Sequence, residues 1–353
     1  MKLRASLPLA FAASCVAFTP LAIEEPAHAE SRPASGETRS KQAPEVDRAS
    51  AALPEPSGAA SDRVVRDEAV REELVERSLR VAGKSAPGFE RRFPFEDEVR
   101  LRQGEQESSL VYVPDAVPTG ATVALVVFLH GINPNGPKHA FVGGSGERDL
   151  RPVVRDLVRR GEVGPLAIAA PSQTRQAGSS KTLWTDFALG PFVDAVEASL
   201  EGHVRIDRAR VILVGHSGAG CNTNGGLLAA AADGQGVTPL AIVAVDTCLD
   251  ANIGEGLTRA PSATRVWAYY QDWSWRRKFD AFRGAFLASD GTAANASEGG
   301  QTGEAPGASE RRFVRIVGLR KDAHNVVLPV TLQRTLPELV PARGTFAEGT
   351  AAR

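Results

Sequence analysis

The chain has 353 residues, 42% of them hydrophobic, with 41 Lys and Arg against 42 Asp and Glu. That is enough apolar material for one large core, or a core with appendages. A net charge of −1 gives no basic excess for nucleic acid, and no acidic tail is present.

The N-terminus reads as a leader. "MKLR" is a short basic start, "ASLPLAFAASCVAFTPLAI" is apolar but broken by Pro8 and Pro20, and "AHAE" offers a cleavage site after Ala29. This is the pattern of a secretory signal peptide over residues 1–29. A lipoprotein reading through Cys15 fits less well, because Ala12 stands where a larger aliphatic residue is usual. No later segment approaches the length needed to span a bilayer, so the mature protein is expected to be secreted or periplasmic. Residues 30–60 are rich in Pro, Ala, Ser and charge and read as a disordered linker. Over 61–83 an approximate helical stripe (Val64, Val65, Val70, Leu74, Val75, Leu79) predicts an N-terminal helix, capped by Ser61 or Asp62 and ended by Gly83.

From residue 89 the pattern becomes that of a folded domain running to 342. "FERRFPFEDEVRLR" and "SSLVYVPDAV" read as paired strands, and "ATVALVVFLHG" as a central strand covered on both faces. Then follow a helix in "ERDLRPVVRDLVRRG", a buried strand in "GPLAIAAPS", and a helix in "TDFALGPFVDAVEASLEGHV" with Pro191 as a kink or second start. "RVILVG" is a strand and "SGAGCNTNGGLLAAAA" a helix. "TPLAIVAVDTC" and "TRVWAYYQ" are strands, "WRRKFDAFRGAFLA" a helix, "ERRFVRIVGL" the last strand and "NVVLPVTLQRTLPELV" the last helix. Residues 289–310 are a low-complexity stretch read as a flexible insertion, and 343–353 as a tail. This alternation predicts an α/β fold: a mostly parallel central sheet flanked by helices, with antiparallel strands at the N-terminal edge.

Ser217 falls where a strand meets a helix, in "RVILVGHSGAG". A nucleophile at such a turn needs small residues two positions before and after it, and Gly215 and Ala219 stand there. The usual pattern is G-x-S-x-G, so Ala219 departs from it by a methyl group. The competing reading is a strand that ends in a glycine-rich loop for packing. A helix N-terminus at the turn would supply free N–H groups to an oxyanion.

"VVFLHGINPNG" ends a strand on His130 and Gly131, and "GLRKDAHNVVLPV" places His324 between the last strand and the last helix. With "FLHG", "GHSGAG" and "DAHN" in this order, residues 89–342 resemble an α/β-hydrolase, nearest to secreted esterases related to esterase D and polyhydroxybutyrate depolymerase. The resemblance implies that Ser217 is the nucleophile and His324 the base, and that the amides of Ile132 and Gly218 form the oxyanion hole. His130 reads as a buried loop-holding residue. For the acid the resemblance offers Asp272, after the strand where most members carry it, with Asp246 close behind and Asp250 more distant. In the resembled fold the strands before Cys221 and Cys248 are neighbours, so a disulfide between them is expected, against the alternative of two small buried side chains.

The implied activity is acyl transfer to water by a serine hydrolase, most simply on carboxylic esters, small or polymeric, with no cofactor. No Cys, His and carboxylate cluster has metal-site spacing. An amidase, peptidase or acyltransferase uses the same groups, and a non-catalytic envelope binding protein keeps the same fold. Arg175, Lys181 and Trp184, and beyond the next strand Trp273 and Trp275, are candidate substrate contacts or ordinary loop and core residues.

Overall fold

Apolar runs of five to eight residues separated by helical stretches have one economical burial: strands side by side, with helices on both faces. The computed structural model of the chain has this arrangement. It describes residues 65–69, 76–77, 80–81, 86–95, 109–132, 142, 149–171, 180–185, 187–271, 279–288, 310–317, 319 and 323–342. All lie in the unit Ala59–Arg353. The leader, the linker and the tail lie outside the described residues, as does the insertion apart from Glu310.

The strands are β1 (Val65–Ala69), β2 (Gly88–Phe93), β3 (Ser109–Pro114), β4 (Thr122–Leu129), β5 (Leu166–Ala170), β6 (Arg205–His216), β7 (Ala241–Val245), β8 (Arg265–Gln271) and β9 (Arg311–Val317). The helices are α1 (Arg151–Arg159), α2 (Leu189–Ser199), α3 (Gly226–Ala232), α4 (Ala251–Leu257), α5 (Phe279–Ala288) and α6 (Ala323–Leu339). The strands form one sheet in the order β1-β9-β8-β7-β6-β4-β5-β3-β2. β2 pairs antiparallel with β3, and β3 with β5, whereas the other pairings are parallel. The mostly parallel sheet and its antiparallel N-terminal edge are as the sequence predicts.

Alternation along each strand sorts the core into two layers. On one face Leu125, Val127 and Leu213 pack with Phe192 of α2, Leu227 of α3, Ile253 of α4 and Phe282 of α5. On the other, Val126, Ile212, Val243 and Tyr269 pack with Val153 of α1 and Val327 and Leu336 of α6. The two faces later decide which neighbours each site residue has.

Three local expectations need correction. Val65–Ala69, placed by the sequence in a helix over 61–83, is a strand that pairs parallel with Phe313–Val317. Among the described residues of this segment, helical ones stand at 76–77 and 80–81. Beside the open edge at β9 this segment gains a ladder of hydrogen bonds to a strand already in the sheet. The segment after Ser217 is not one helix. Ser217–Gly220 is a short 3-10 turn, and α3 begins at Gly226. The intervening "CNTNG" is too rich in Asn and Gly to continue the helix. Finally, α4 has no counterpart in the sequence reading, because its Gly254 and Gly256 look like helix breakers. Both are buried, and this tertiary contact overrides their poor propensity. Pro191 sits in the first turn of α2, so it marks a start and not a kink. Among the described residues, no helix is long and apolar enough to cross a membrane.

Candidate active site

β6 carries the nucleophile candidate. Val211 and Leu213 face the α3 side of the sheet, and Ile212 and Val214 face the α6 side. Continuing the alternation, Gly215 faces α3 and His216 faces α6. A Cβ on Gly215 would lie 2.6–2.8 Å from the Leu227 side chain, so only glycine fits. Ser217 then takes φ +56°, a left-handed conformation that costs a non-glycine residue of order 1 kcal/mol or more. This is the strained strand-to-turn geometry that lifts a serine out of its sheet.

The exit of β4 closes against that serine. A Cβ on Gly131 would lie 2.6 Å from Ser217 Cβ, 2.9 Å from its Oγ and 3.1 Å from the Gly218 amide nitrogen. A Cβ on Gly218 would lie 3.4 Å from the Ile132 amide nitrogen. The peptides carrying the two expected oxyanion donors therefore face each other across a gap with no room for a methyl group. Because the turn at 217–220 is too short to act as a helix N-terminus, any stabilisation there comes from individual N–H groups.

Several buried contacts hold this corner. Trp184 is fully buried at φ +60°, and its Nε1 donates to the His130 carbonyl at 2.8 Å. The His130 Nδ1 donates to the Gly131 carbonyl at 2.6 Å, as its loop-holding reading requires. Asn222 Nδ2 donates to the Leu183 carbonyl at 2.7 Å and to Thr185 Oγ1 at 3.1 Å, and the Gly226 amide donates to the Trp184 carbonyl at 3.0 Å. Residues 183–185 thus join the oxyanion strand to the segment after the nucleophile. The sequence offers Trp184 as a substrate contact, but the structure puts it behind the loop as a brace. Lys181 is exposed in the adjoining turn.

His324 stands in the first turn of α6. The Nε2–H of His216 donates to its main-chain carbonyl at 2.7 Å, and the two imidazole rings lie 4.6 Å apart. His324 is therefore anchored to the residue beside Ser217. The His324 Nδ1 is hydrogen-bonded to Asp246 Oδ2, and Gln271 Nε2 donates to the same oxygen at 2.9 Å. Asp246 is fully buried and follows β7 at φ +47°. Val245 faces α6, so strict alternation would turn Asp246 away. The left-handed residue ends that alternation and lets the carboxylate meet His324. Of the acid candidates, Asp246 bonds the histidine, Asp250 begins α4, and Asp272 lies outside the described residues. Arg175, Trp273 and Trp275 also lie outside them.

A disulfide joins Cys221 to Cys248, with Cα atoms 5.0 Å apart. Cys221 closes the turn that begins at Ser217, and Cys248 follows Asp246 by one intervening residue. The bond ties the turn at Ser217 to the loop after Asp246. Among the described residues, no group of three or more His, Cys, Asp and Glu is placed to hold a metal ion.

The alpha/beta hydrolase family model matches residues 126–345, which include every residue of this site. The match spans more than half of the chain, and the chain belongs to the alpha/beta hydrolase family. Among solved structures, the feruloyl esterase module from Clostridium thermocellum is similar over 79% of this chain and 95% of that one, at 10% identity and a TM-score of 0.46. The S-formylglutathione hydrolase from Staphylococcus aureus is similar over 72% of this chain and 99% of that one, at 11% identity and a TM-score of 0.40. Esterase LipW from Mycobacterium marinum is similar over 76% and 85%, at 14% identity and a TM-score of 0.36. No curated protein matches the chain.

Two outcomes follow from this geometry. Gly131→Ala forces the oxyanion strand off Ser217. It should slow reaction of Ser217 with a fluorophosphonate on the order of 100-fold while leaving the circular dichroism spectrum unchanged. Replacing both Cys221 and Cys248 by alanine opens a loop with a sequence separation of 27 and should cost about 3 kcal/mol, measured by urea unfolding. Titration of the unfolded, unreduced protein should find neither thiol free.

Proposed function

We propose that the protein is a serine hydrolase that cleaves carboxylic esters, with Ser217 as nucleophile, His324 as base and Asp246 as acid. The observation that carries this reading is the buried Asp246 carboxylate on His324 Nδ1, with that histidine anchored next to a strained Ser217. Asp246 keeps the proton on Nδ1 and leaves Nε2 with its lone pair.

In the reaction His324 Nε2 takes the Ser217 proton as Oγ attacks the ester carbonyl carbon. The negative charge that grows on the carbonyl oxygen is met by the amides of Ile132 and Gly218. The C–O bond to the alcohol breaks as the imidazolium returns its proton to the leaving oxygen. Water, deprotonated by the same histidine, then attacks the acyl-enzyme and frees the acid and Ser217. Esters are assigned as the substrate class on the sequence resemblance to secreted esterases.

Export belongs to the same proposal. The leader pattern over 1–29 is consistent with the Cys221–Cys248 bond, since disulfides persist in oxidising compartments. The N-terminus of protein recovered outside the cytoplasm should begin at Glu30. An intact Met1 there would contradict cleavage after Ala29.

The central test is labelling of the purified protein with a fluorophosphonate, followed by turnover of aryl esters and of the matching amides. Wild type should label, and Ser217→Ala and His324→Ala should not. Asp246→Asn should lower kcat on the order of 10⁴-fold, as loss of the histidine's orienting acid does elsewhere, and Asp272→Asn should stay near wild type. The reverse ranking of the two aspartates would transfer the acid role to Asp272. A folded wild type that does not label would favour a non-catalytic binding protein.

A further inference from the structure

The proposed acid is gripped from a second side. Gln271 is the last residue of β8 and is only 1% exposed. Its Nε2 donates at 2.9 Å to Asp246 Oδ2, the oxygen that also takes the His324 Nδ1–H. Strand alternation explains the aim of this amide. Trp267 and Tyr269 pack on the α6 side of the sheet, and Gln271 continues that row toward the end of the helix that holds His324. At the base of the corner the Asp246 amide donates to the Tyr269 carbonyl at 2.7 Å, so backbone and side chain of Asp246 are both fixed by β8.

We propose that Gln271 is a positioning residue for the reaction: it clamps the Asp246 carboxylate so that Oδ2 stays on His324 Nδ1, and it never touches substrate. The inference rests on the serine hydrolase reading above. Its physical basis is the freedom of an aspartate about its Cβ–Cγ bond. A single hydrogen bond to His324 leaves the carboxylate able to pivot, and the imidazole pivots with it. A second donor on the same oxygen, held by a sheet strand, removes that freedom. An amide suits the task because it donates without carrying charge and does not ionise at any physiological pH. A carboxylate in its place would repel Asp246, and the two groups would share one proton as coupled acids do. Among the described residues, the titratable groups bonded around this contact are Asp246 after β7, His324 in the first turn of α6 and His216 at the end of β6. β9 places Ile316 opposite Gln271.

The experiment measures kcat and KM for an acetyl aryl ester between pH 5 and pH 9, with fluorophosphonate labelling in parallel, for wild type, Gln271→Leu, Gln271→Asn and Gln271→Glu. Gln271→Leu should lose about 10- to 100-fold in kcat, the usual cost of removing an outer orienting partner, with KM within about twofold. Gln271→Asn is shorter by one methylene and should fall with it. Gln271→Glu distinguishes positioning from mere support. At low pH its protonated carboxyl donates to Asp246, and kcat should approach wild type. As pH rises the shared proton leaves, and kcat should fall where wild type keeps its plateau. Wild-type kcat in Gln271→Leu and Gln271→Glu across the range would overturn the inference and leave the serine hydrolase reading standing. An equal loss at every pH in all three variants, with a matching drop in Tm, would reduce Gln271 to a packing residue. If folded wild type neither labels nor turns over, the serine hydrolase reading fails and the inference with it.

Discussion

The contact on which the rest of this corner depends is that between Gly131 and Ser217. Two backbones, the exit of β4 and the end of β6, approach until only a hydrogen fits between them. That approach brings the Ile132 and Gly218 amides to one side of the serine. It also obliges Ser217 to leave its strand at a positive φ. A strained residue of this kind persists only where its surroundings over-determine it. Here Leu227 presses on Gly215 from one face, and Trp184 holds the His130 carbonyl behind the loop. The disulfide at Cys221 pins the end of the turn. The strain is local, and the core of a nine-stranded sheet offsets it.

The two faces of that sheet have different duties. The α3 side makes the elbow tight, because Gly215 looks that way and must yield to Leu227. The α6 side gathers the polar groups, because His216 and Gln271 look that way and bond the His324 carbonyl and the Asp246 carboxylate respectively. A period-2 pattern in β6 thus separates packing from chemistry within three consecutive residues. A register slip of one position would send His216 into the apolar layer under α3 and a glycine toward His324. Deep burial of Val211, Ile212, Leu213 and Val214 on both faces makes such a slip costly.

This division explains what was legible in the sequence. The succession of strands and helices from residue 89, the helix-covered sheet and the candidates Ser217 and His324 follow from apolar runs, small residues at a turn and position along the chain. Each is a local signal. Trp184, His216 and Gln271 left no such signal. Their roles depend on which face of a strand or turn they occupy relative to an element distant in the chain, as with His216 and His324, or on a neighbouring strand, as with Gln271 and Asp246. The split of the segment after Ser217 was hidden for a related reason. "SGAGCNTNGGLLAAAA" has the alanines and leucines of a helix, but its Asn and Gly residues are committed to the Trp184 loop. Val65–Ala69 looked helical on its own and becomes a strand because β9 offers an unpaired edge.

The proposal of Asp246 as the acid rests on tertiary context that the sequence does not display. β7 lies directly beside β6, and β8 lies one strand further out. An acid at the end of β7 is close to the nucleophile strand, yet alternation at Val245 would point the next side chain to the wrong face. Two features resolve this conflict. Asp246 adopts φ +47°, which ends the alternation, and the neighbouring strand supplies Gln271 as a fixed donor where the turned carboxylate arrives. In the proposed reading, the buried Gln271 amide at the end of β8 holds a carboxylate that turns in from β7. The disulfide from Cys248 to Cys221 ties the loop after Asp246 to the turn that begins at Ser217, while α6 delivers His324 to the Asp246 carboxylate.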